Sequence, residues 1–355
     1  MSQLDRTEEF TDKVFTRDRR AWWSGMDVPG VNVCTDRRMN VHEAFRLYLP
    51  WEVRKVNLYD PEDFAPTDYH GLKRSDTGRI LGVGSDQFTV VQNSDVEALL
   101  GEALDGAGYA VASIGALAHG KTTFVSVDFD DAPTANAGGQ EVFPYLAVVN
   151  GNDGSGALRV YATGIRPECY NTIDMGWLAG VQFARLRHTT NIMSRIPEVQ
   201  ADVRKFLDLP AKASRVIGTL IDTRVDATAY RRALEFATPI PEPKVKDGKT
   251  VNQQAITIAE KQRDKVLDLA YNDERVGFQN TAWGLFQTFS TFDQWERRFR
   301  RTESSGVTTH QQATLTRLFS GEQASRDANR LAVALRGADI TSVKVDGKGT
   351  LVLAR

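Results

Sequence analysis

Four apolar runs of nine residues follow one another between residues 109 and 165: "YAVASIGAL", "KTTFVSVDF", "VFPYLAVVN" and "ALRVYATGI". Short turns, "AHG" and "GNDGSG", close the first and the second pair. This spacing constrains the fold more than any other feature. Runs of this length, rich in Val, Tyr, Phe and Thr and bounded by Gly and Asn, read as strands joined in hairpins. The links are too short for the crossovers of a parallel sheet, so the strands must run antiparallel.

The flanking segments add helices. "NVHEAFRLYL" spaces Val41, Ala44, Phe45, Tyr48 and Leu49 at helical intervals, and "WEVRKVNLY" then alternates like a strand. "RILGVGSDQFTVVQN" reads as two strands about a turn at Gly84, Ser85 and Asp86. In "NSDVEALLGEALDGAGY", Ser94 and Glu97 have capping-box spacing, and Val96, Leu99, Leu100 and Ala103 form one apolar stripe. Beyond residue 165 the apolar period lengthens. Helices are expected over 189–222, 226–237, 251–272, 275–301 and 308–336, and a last hairpin in "ITSVKVDGKGTLVLA".

The expected class is α+β: a curved antiparallel sheet built from hairpins, crossed by a long helix, with a helical C-terminal lobe. The chain divides into an N-terminal arm and helix (1–75), an α+β core (76–237), a proline-bearing linker (238–250) and a helical lobe ending in a hairpin (251–355).

Bulk properties exclude several classes of function. Two cysteines, Cys34 and Cys169, make neither a disulfide framework nor a CxxC metal site. No apolar run approaches a membrane span, and "MSQLDRTEEFTDKVF" lacks the core of a signal peptide, so the expected location is the cytoplasm of a bacterial host cell. The formal net charge of -2 does not announce a polyanionic partner, though a local basic patch remains compatible with it.

No histidine pair stands at metal-binding spacing, "LGVGSD" lacks the Lys-Ser/Thr of a phosphate loop, and "GNDGSG" lacks the carboxylates of a calcium loop. No metal or cofactor is expected. With no recognisable catalytic motif, the reading leans away from an enzyme.

One stretch stands apart. From Arg159 to Arg195 the chain gathers Arg159, Tyr161, Arg166, Tyr170, Asn171, Arg185, Arg187, His188, Thr189, Thr190 and Arg195. Arginine forks, hydroxyls and amides suit phosphate oxygens, and aromatic faces suit unpaired bases. The competing account is a strand-to-helix crossing whose polar side chains cap chain ends. "WERRFRR", with Arg297, Arg298, Arg300 and Arg301, is a second basic cluster, and a solvated helix face explains it.

Several blocks are familiar together. "TGIRPECYNTIDMG" followed by "RLRHTTNI", with "WWSGMD", "RSDTGRILGVGSDQFTVVQN", "AVVNGNDGSGALRVYATGIR" and "NTAWGLFQTFSTF", resembles a large uncharacterised family of phage and plasmid-like proteins, over about residues 20–335. The family pattern commonly ends its late block with aromatic-Asp-His, where this chain reads "STFDQWE" without histidine, and it often carries Gln where Tyr170 stands. The resemblance implies a phage, prophage or plasmid origin and no established reaction. More remotely, hairpins and one helix followed by a long helix resemble the core of phage single-strand annealing proteins of the Redβ and RecT type.

The leading expectation is therefore a single-stranded DNA-binding protein that promotes strand annealing as a homo-oligomer. The annealing resemblance adds a phage exonuclease as a partner. Two alternatives are an enzyme acting on nucleotides or nucleic acid, centred on Cys169, Asp174 and His188, and an inhibitor of a host defence factor.

Overall fold

The computed structural model describes residues 31–33, 39–106, 108–129, 135–137, 139–165, 172–174, 183–204, 206, 209–273, 276–297, 309–341, 343–345 and 351–353. Its centre is an antiparallel sheet. Strands β1 (Val31–Val33), β5 (Tyr109–Leu117), β6 (Thr122–Phe129), β8 (Gln140–Gly151), β9 (Ala157–Ile165) and β10 (Thr172–Asp174) lie side by side in that order. Strand β7 (Ala135–Ala137) pairs with β8, and β11 (Arg185–Arg187) pairs with β9 beside β10. The two hairpins read from the four apolar runs are β5–β6 and β8–β9, with Val125 opposite Val148 and Val148 opposite Val160. The class is α+β, as the turn spacing required.

Both faces of this sheet are covered, and the two-residue period of a strand decides which side chain meets which layer. Val125, Val127, Leu146, Val148, Leu158, Val160 and Leu186 face the larger core. Helices α1 (Val41–Tyr48), α2 (Asn93–Ala103), α3 (Ile196–Arg204) and α4 (Leu209–Asp222) pack into it, joined by Trp283 and Phe286 and by Leu331 and Leu335 of two later helices. Phe124, Tyr145, Ala147 and Val149 face the opposite way and pack on Leu315 and Phe319 of α8 (His310–Ser320). A third cluster joins α5 (Ala227–Ala237), α6 (Gln253–Asn272), α7 (Ala282–Thr291) and α9 (Glu322–Gly337). Two small hairpins complete the chain: β12 (Val245–Lys246) with β13 (Lys249–Thr250), and β14 (Val343–Val345) with β15 (Leu351–Leu353).

A separate three-stranded meander consists of β2 (Val53–Tyr59), β3 (Pro66–Arg74) and β4 (Ile80–Ser85). The boundary read at residue 75 falls in its β3–β4 turn, where Gly78 takes a φ of 72°. Arg74 ties the meander to the main sheet. Its buried guanidinium lies 4.2 Å above the Trp51 ring, holds Asp76 at 2.8 Å and donates to the His119 carbonyl at 3.1 Å.

Five local expectations need correction. The strand partner of "ILGVGS" is β3, and Phe88–Gln92 is irregular chain whose Thr89 amide donates to the His188 carbonyl. Helix α2 starts before Ser94: the Gln92 amide donates to the Asp95 carboxylate at 2.7 Å, while the Gln92 side chain pairs with the main chain of Val53. The long helix over 189–222 is two helices, because Pro210 fits the first turn of α4 but would break a helix interior. The helix over 308–336 divides at Gly321, whose φ of 77° ends α8 in the left-handed conformation that glycine allows. Positive φ at Gly277, Phe278 and Asn280 likewise delays α7 until the Thr281 hydroxyl caps it.

Candidate nucleic-acid interface

Strand β11 hydrogen-bonds along β9 in a register that places Arg185 opposite Arg159, Leu186 opposite Leu158 and Arg187 opposite Ala157. Alternation buries Leu186 in the larger core and turns Arg185 and Arg187 to the other face, where both are exposed. Arg159 and Tyr161 of β9 share that face. The structure thus brings four of the expected residues together.

They are not equivalent. The Tyr161 hydroxyl donates to the Phe319 carbonyl, and the Arg159 guanidinium donates to the Ser320 carbonyl and, at 3.0 Å, to the Tyr161 oxygen. These carbonyls are the orphan acceptors at the C-terminal end of α8, where the helix dipole also favours a cation. Arg159 and Tyr161 therefore close a helix end. The side chains of Arg185 and Arg187 have no hydrogen-bond or ion-pair partner among the described residues.

The turn after β11 continues the polar strip. Thr189, Thr190 and Asn191 are exposed, and the Thr189 hydroxyl donates to the Asn191 side-chain oxygen at 2.7 Å. Arg195 is exposed but already held by Glu198 in a two-point pair at 2.9 Å. His188 departs from the expectation of a surface contact. Only 6% exposed, it stacks on Phe88 at 4.9 Å, and its Nδ1 lies 2.9 Å from the Thr89 carbonyl. That contact puts the ring proton on Nδ1. Burial pushes its pKa below the ordinary value, against the smaller opposing pulls of the Thr89 carbonyl and the Asp153 charge. Arg166, Tyr170, Asn171 and Cys169 lie outside the described residues, as does the side chain of Asp174.

Two glycine-rich segments that read as separate turns pack on each other beside this strip. A Cβ on Gly82 would lie 2.0 Å from the Asp153 carbonyl oxygen, and one on Gly154 would lie 2.1 Å from the Val83 carbonyl oxygen. Only glycine lets two main chains approach so closely. The turn is fixed from inside as well: Asn150 donates to the Val91 carbonyl at 2.8 Å, and Asn152 to the Gly120 carbonyl at 3.1 Å. "GNDGSG" is thus an internal joint. A long-range contact of this kind leaves no periodic signal in the sequence.

Sequence reasoning also missed Asp293. It sits in a π-helical turn, Phe292–Glu296, that continues α7. Its carboxylate is fully buried and meets Arg330 at 2.9 Å and Arg297 at 3.2 Å, while Arg317 donates to its main-chain carbonyl at 3.1 Å. Burial pushes the Asp293 pKa up, and the three arginines oppose that shift. Arg297, read as part of a solvated basic face, is half-buried and belongs to this network; Arg298, Arg300 and Arg301 lie outside the described residues. Among the described residues no group of three or more His, Cys, Asp or Glu could hold a metal ion, and no helix is long and apolar enough to cross a membrane.

Residues 80–319 match the model of a domain of unknown function, DUF932. The chain belongs to this family. No curated protein and no solved structure matches it. The DUF932 match begins at β4 and ends on Phe319, so it takes in the glycine joint, the β9–β11 face, the Asp293 turn and nearly all of α8. In this DUF932 chain the aromatic-Asp-His of the family pattern falls on Phe292, Asp293 and Gln294, and Gln294 is buried and donates to the Ser290 hydroxyl at 2.8 Å.

Proposed function

We propose that this DUF932 protein binds the backbone of single-stranded DNA along β11 and the turn that follows it, and that several copies acting together promote strand annealing. The observation that carries the reading is the pair Arg185 and Arg187: exposed, on one face of a strand, and without a compensating anion among the described residues. Side chains two positions apart on a strand recur every ~7 Å, which is of the order of the spacing between phosphates on a stretched single strand. Guanidinium forks suit phosphate oxygens, and Thr189, Thr190 and Asn191 add hydrogen bonds next to them. By sequence, Arg166, Tyr170 and Asn171 join the contact set, with Tyr170 as a stacking platform. Arg159 and Tyr161 act one step back, by holding the face against α8. His188 leaves the set, because its ring is enclosed. The mechanism needs no bond chemistry: a strand held by its backbone keeps its pairing edges free for a complement.

The test is fluorescence anisotropy with a labelled single-stranded oligonucleotide over a salt series, with duplex as control. Binding should prefer the single strand and weaken with salt. Each phosphate contact contributes about 0.7 to the slope of log affinity against log salt, so Arg185→Ala with Arg187→Ala should flatten it by about 1.4. An unchanged slope rejects this surface, and no binding to either oligonucleotide rejects the reading.

A further inference from the structure

The β2–β3 hairpin reaches out of the fold. From Asn57 to Tyr69 no residue is buried, and Tyr59, Phe64 and Tyr69 are 55%, 76% and 57% exposed. The end of the arm reads "YDPEDFAPTDY": four carboxylates, Asp60, Glu62, Asp63 and Asp68, and no cation. It is not a floppy loop. The Phe64 amide donates to the Asp60 carbonyl at 2.9 Å and the Asp60 amide to the Ala65 carbonyl at 2.8 Å. The Asp60 and Asp63 carboxylates accept from the amides of Glu62 and Ala65 at 2.8 and 2.9 Å. These bonds hold Phe64 at a φ of 56°, an unusual backbone for an aromatic residue, and the product of that strain is a large apolar ring held in water.

A surface of opposite character lies on the helical lobe. Phe236, Pro239, Ile240 and Val333 line an open groove of about 640 Å³, with Arg263 and Arg336 at its sides. Phe236 is 57% exposed. The groove's one carboxylate, Glu235, is already paired with Arg231 at 2.9 Å. The groove offers an apolar seat with cations beside it, and the arm offers an apolar knob with anions beside it.

We infer that the acidic β2–β3 arm of one copy docks, through Phe64 and Glu62, into the Phe236–Ile240 groove of a second copy. Phe64 fills the apolar seat, and Glu62, whose carboxylate has no part in holding the loop, meets Arg336. Complementary charge fixes the register and disfavours two arms or two grooves meeting. The contact joins unlike surfaces, so the copy that gives its arm keeps a free groove and the copy that receives it keeps a free arm, and the assembly propagates until it closes as a ring or extends as a filament. The residues involved are separate from Arg185 and Arg187, so this inference stands apart from the strand-binding reading.

Light scattering after size exclusion, over a dilution series of the full chain without nucleic acid, tests it. The wild-type chain should assemble beyond the monomer. Phe64→Ala should raise the dissociation constant by at least about 30-fold, the loss expected of a central aromatic anchor. Glu62→Arg and Arg336→Glu should each dissociate the assembly, and the double variant Glu62→Arg/Arg336→Glu should restore it. All are surface changes, and an unaltered circular dichroism melt confirms that each variant folds. A monomeric wild-type chain, an assembly indifferent to the single variants, or a double variant that stays dissociated would each overturn the inference. Because no nucleic acid is present, none of these outcomes bears on strand binding.

Discussion

The hydroxyl of Tyr161, on β9, donates to the main-chain carbonyl of Phe319 at the end of α8. Residues 158 positions apart are thereby joined across the face on which Arg185 and Arg187 stand exposed. The contact assigns Tyr161 to helix capping in place of base stacking. Tyr161→Phe should lower stability by about 1 kcal/mol, the net worth of one such hydrogen bond. Affinity for a single strand should stay unchanged. Denaturant unfolding and anisotropy on the same protein separate the two roles, and a loss of affinity at constant stability would return Tyr161 to the strand.

Gly82 and Asp153 make the second relationship that a single methyl group tests. Gly82→Ala drives its Cβ against a main-chain carbonyl, which cannot swing aside as a side chain can. The expected loss is about 3 kcal/mol, at the upper end for overpacking. Gly154→Ala should cost more, because its φ of 86° adds backbone strain to the same kind of clash. Denaturant midpoints for the two variants check the order, with Gly106→Ala, which meets nothing within 4 Å but has a φ of 74°, as the control for backbone strain alone. A Gly82→Ala protein as stable as the parent would remove the joint from the account.

These residues also show what was legible beforehand. The hairpins β5–β6 and β8–β9 were readable because strand period and turn chemistry are local. The exposure of Arg185 and Arg187 follows from strand alternation once Leu186 is known to be buried. Helix ends were misplaced where one residue decides: Pro210 dividing α3 from α4, Gly321 dividing α8 from α9. The capping of α8 by Arg159 and Tyr161, the joint between Gly82 and Asp153, and the approach of Arg317 and Arg330 to Asp293 join residues far apart in the chain, whereas Arg297 stands four positions from Asp293, at helical spacing. No window on the sequence contains both partners of such a contact. His188 was misread for the same reason: its neighbours in sequence are polar, whereas its neighbours in space are Phe88 and the Thr89 carbonyl.

Asp293 is the anion that makes the arginines tolerable. Arg330 and Arg297 bind its carboxylate, and Arg330 also lies 5.5 and 5.4 Å from the rings of Phe289 and Phe292. Asp293→Asn keeps the shape and removes the charge, leaving guanidinium groups partly desolvated beside a neutral amide. Removing one partner of a buried pair costs about 3–5 kcal/mol. A drop of that size should appear in thermal or denaturant unfolding, and the double variant Asp293→Asn/Arg330→Met should recover part of it. A single variant within about 0.5 kcal/mol of the parent, the range of ordinary surface changes, would mean that the network contributes little.

His188 sets a pH dependence whose sign can be worked out. In the unfolded chain its ring titrates near the ordinary value of 6.5, and burial lowers the value in the fold. Above 6.5 the ring is neutral in both states and pH has no leverage through it. As pH falls through 6.5 the unfolded chain takes up a proton that the folded chain refuses, so stability falls, and the decline ends once the lowered folded value is passed. His310, also lowered mainly by burial, acts in the same direction. Unfolding free energy should therefore decrease between neutral pH and the mildly acidic range. His188→Gln keeps a donor for the Thr89 carbonyl and cannot titrate. Its unfolding free energy should depend less steeply on pH over that interval, the remaining slope belonging to His310 and to the carboxylates. Denaturant unfolding of both proteins at a series of pH values reads the difference directly. Equal slopes would show that the His188 ring titrates alike in the folded and unfolded chain.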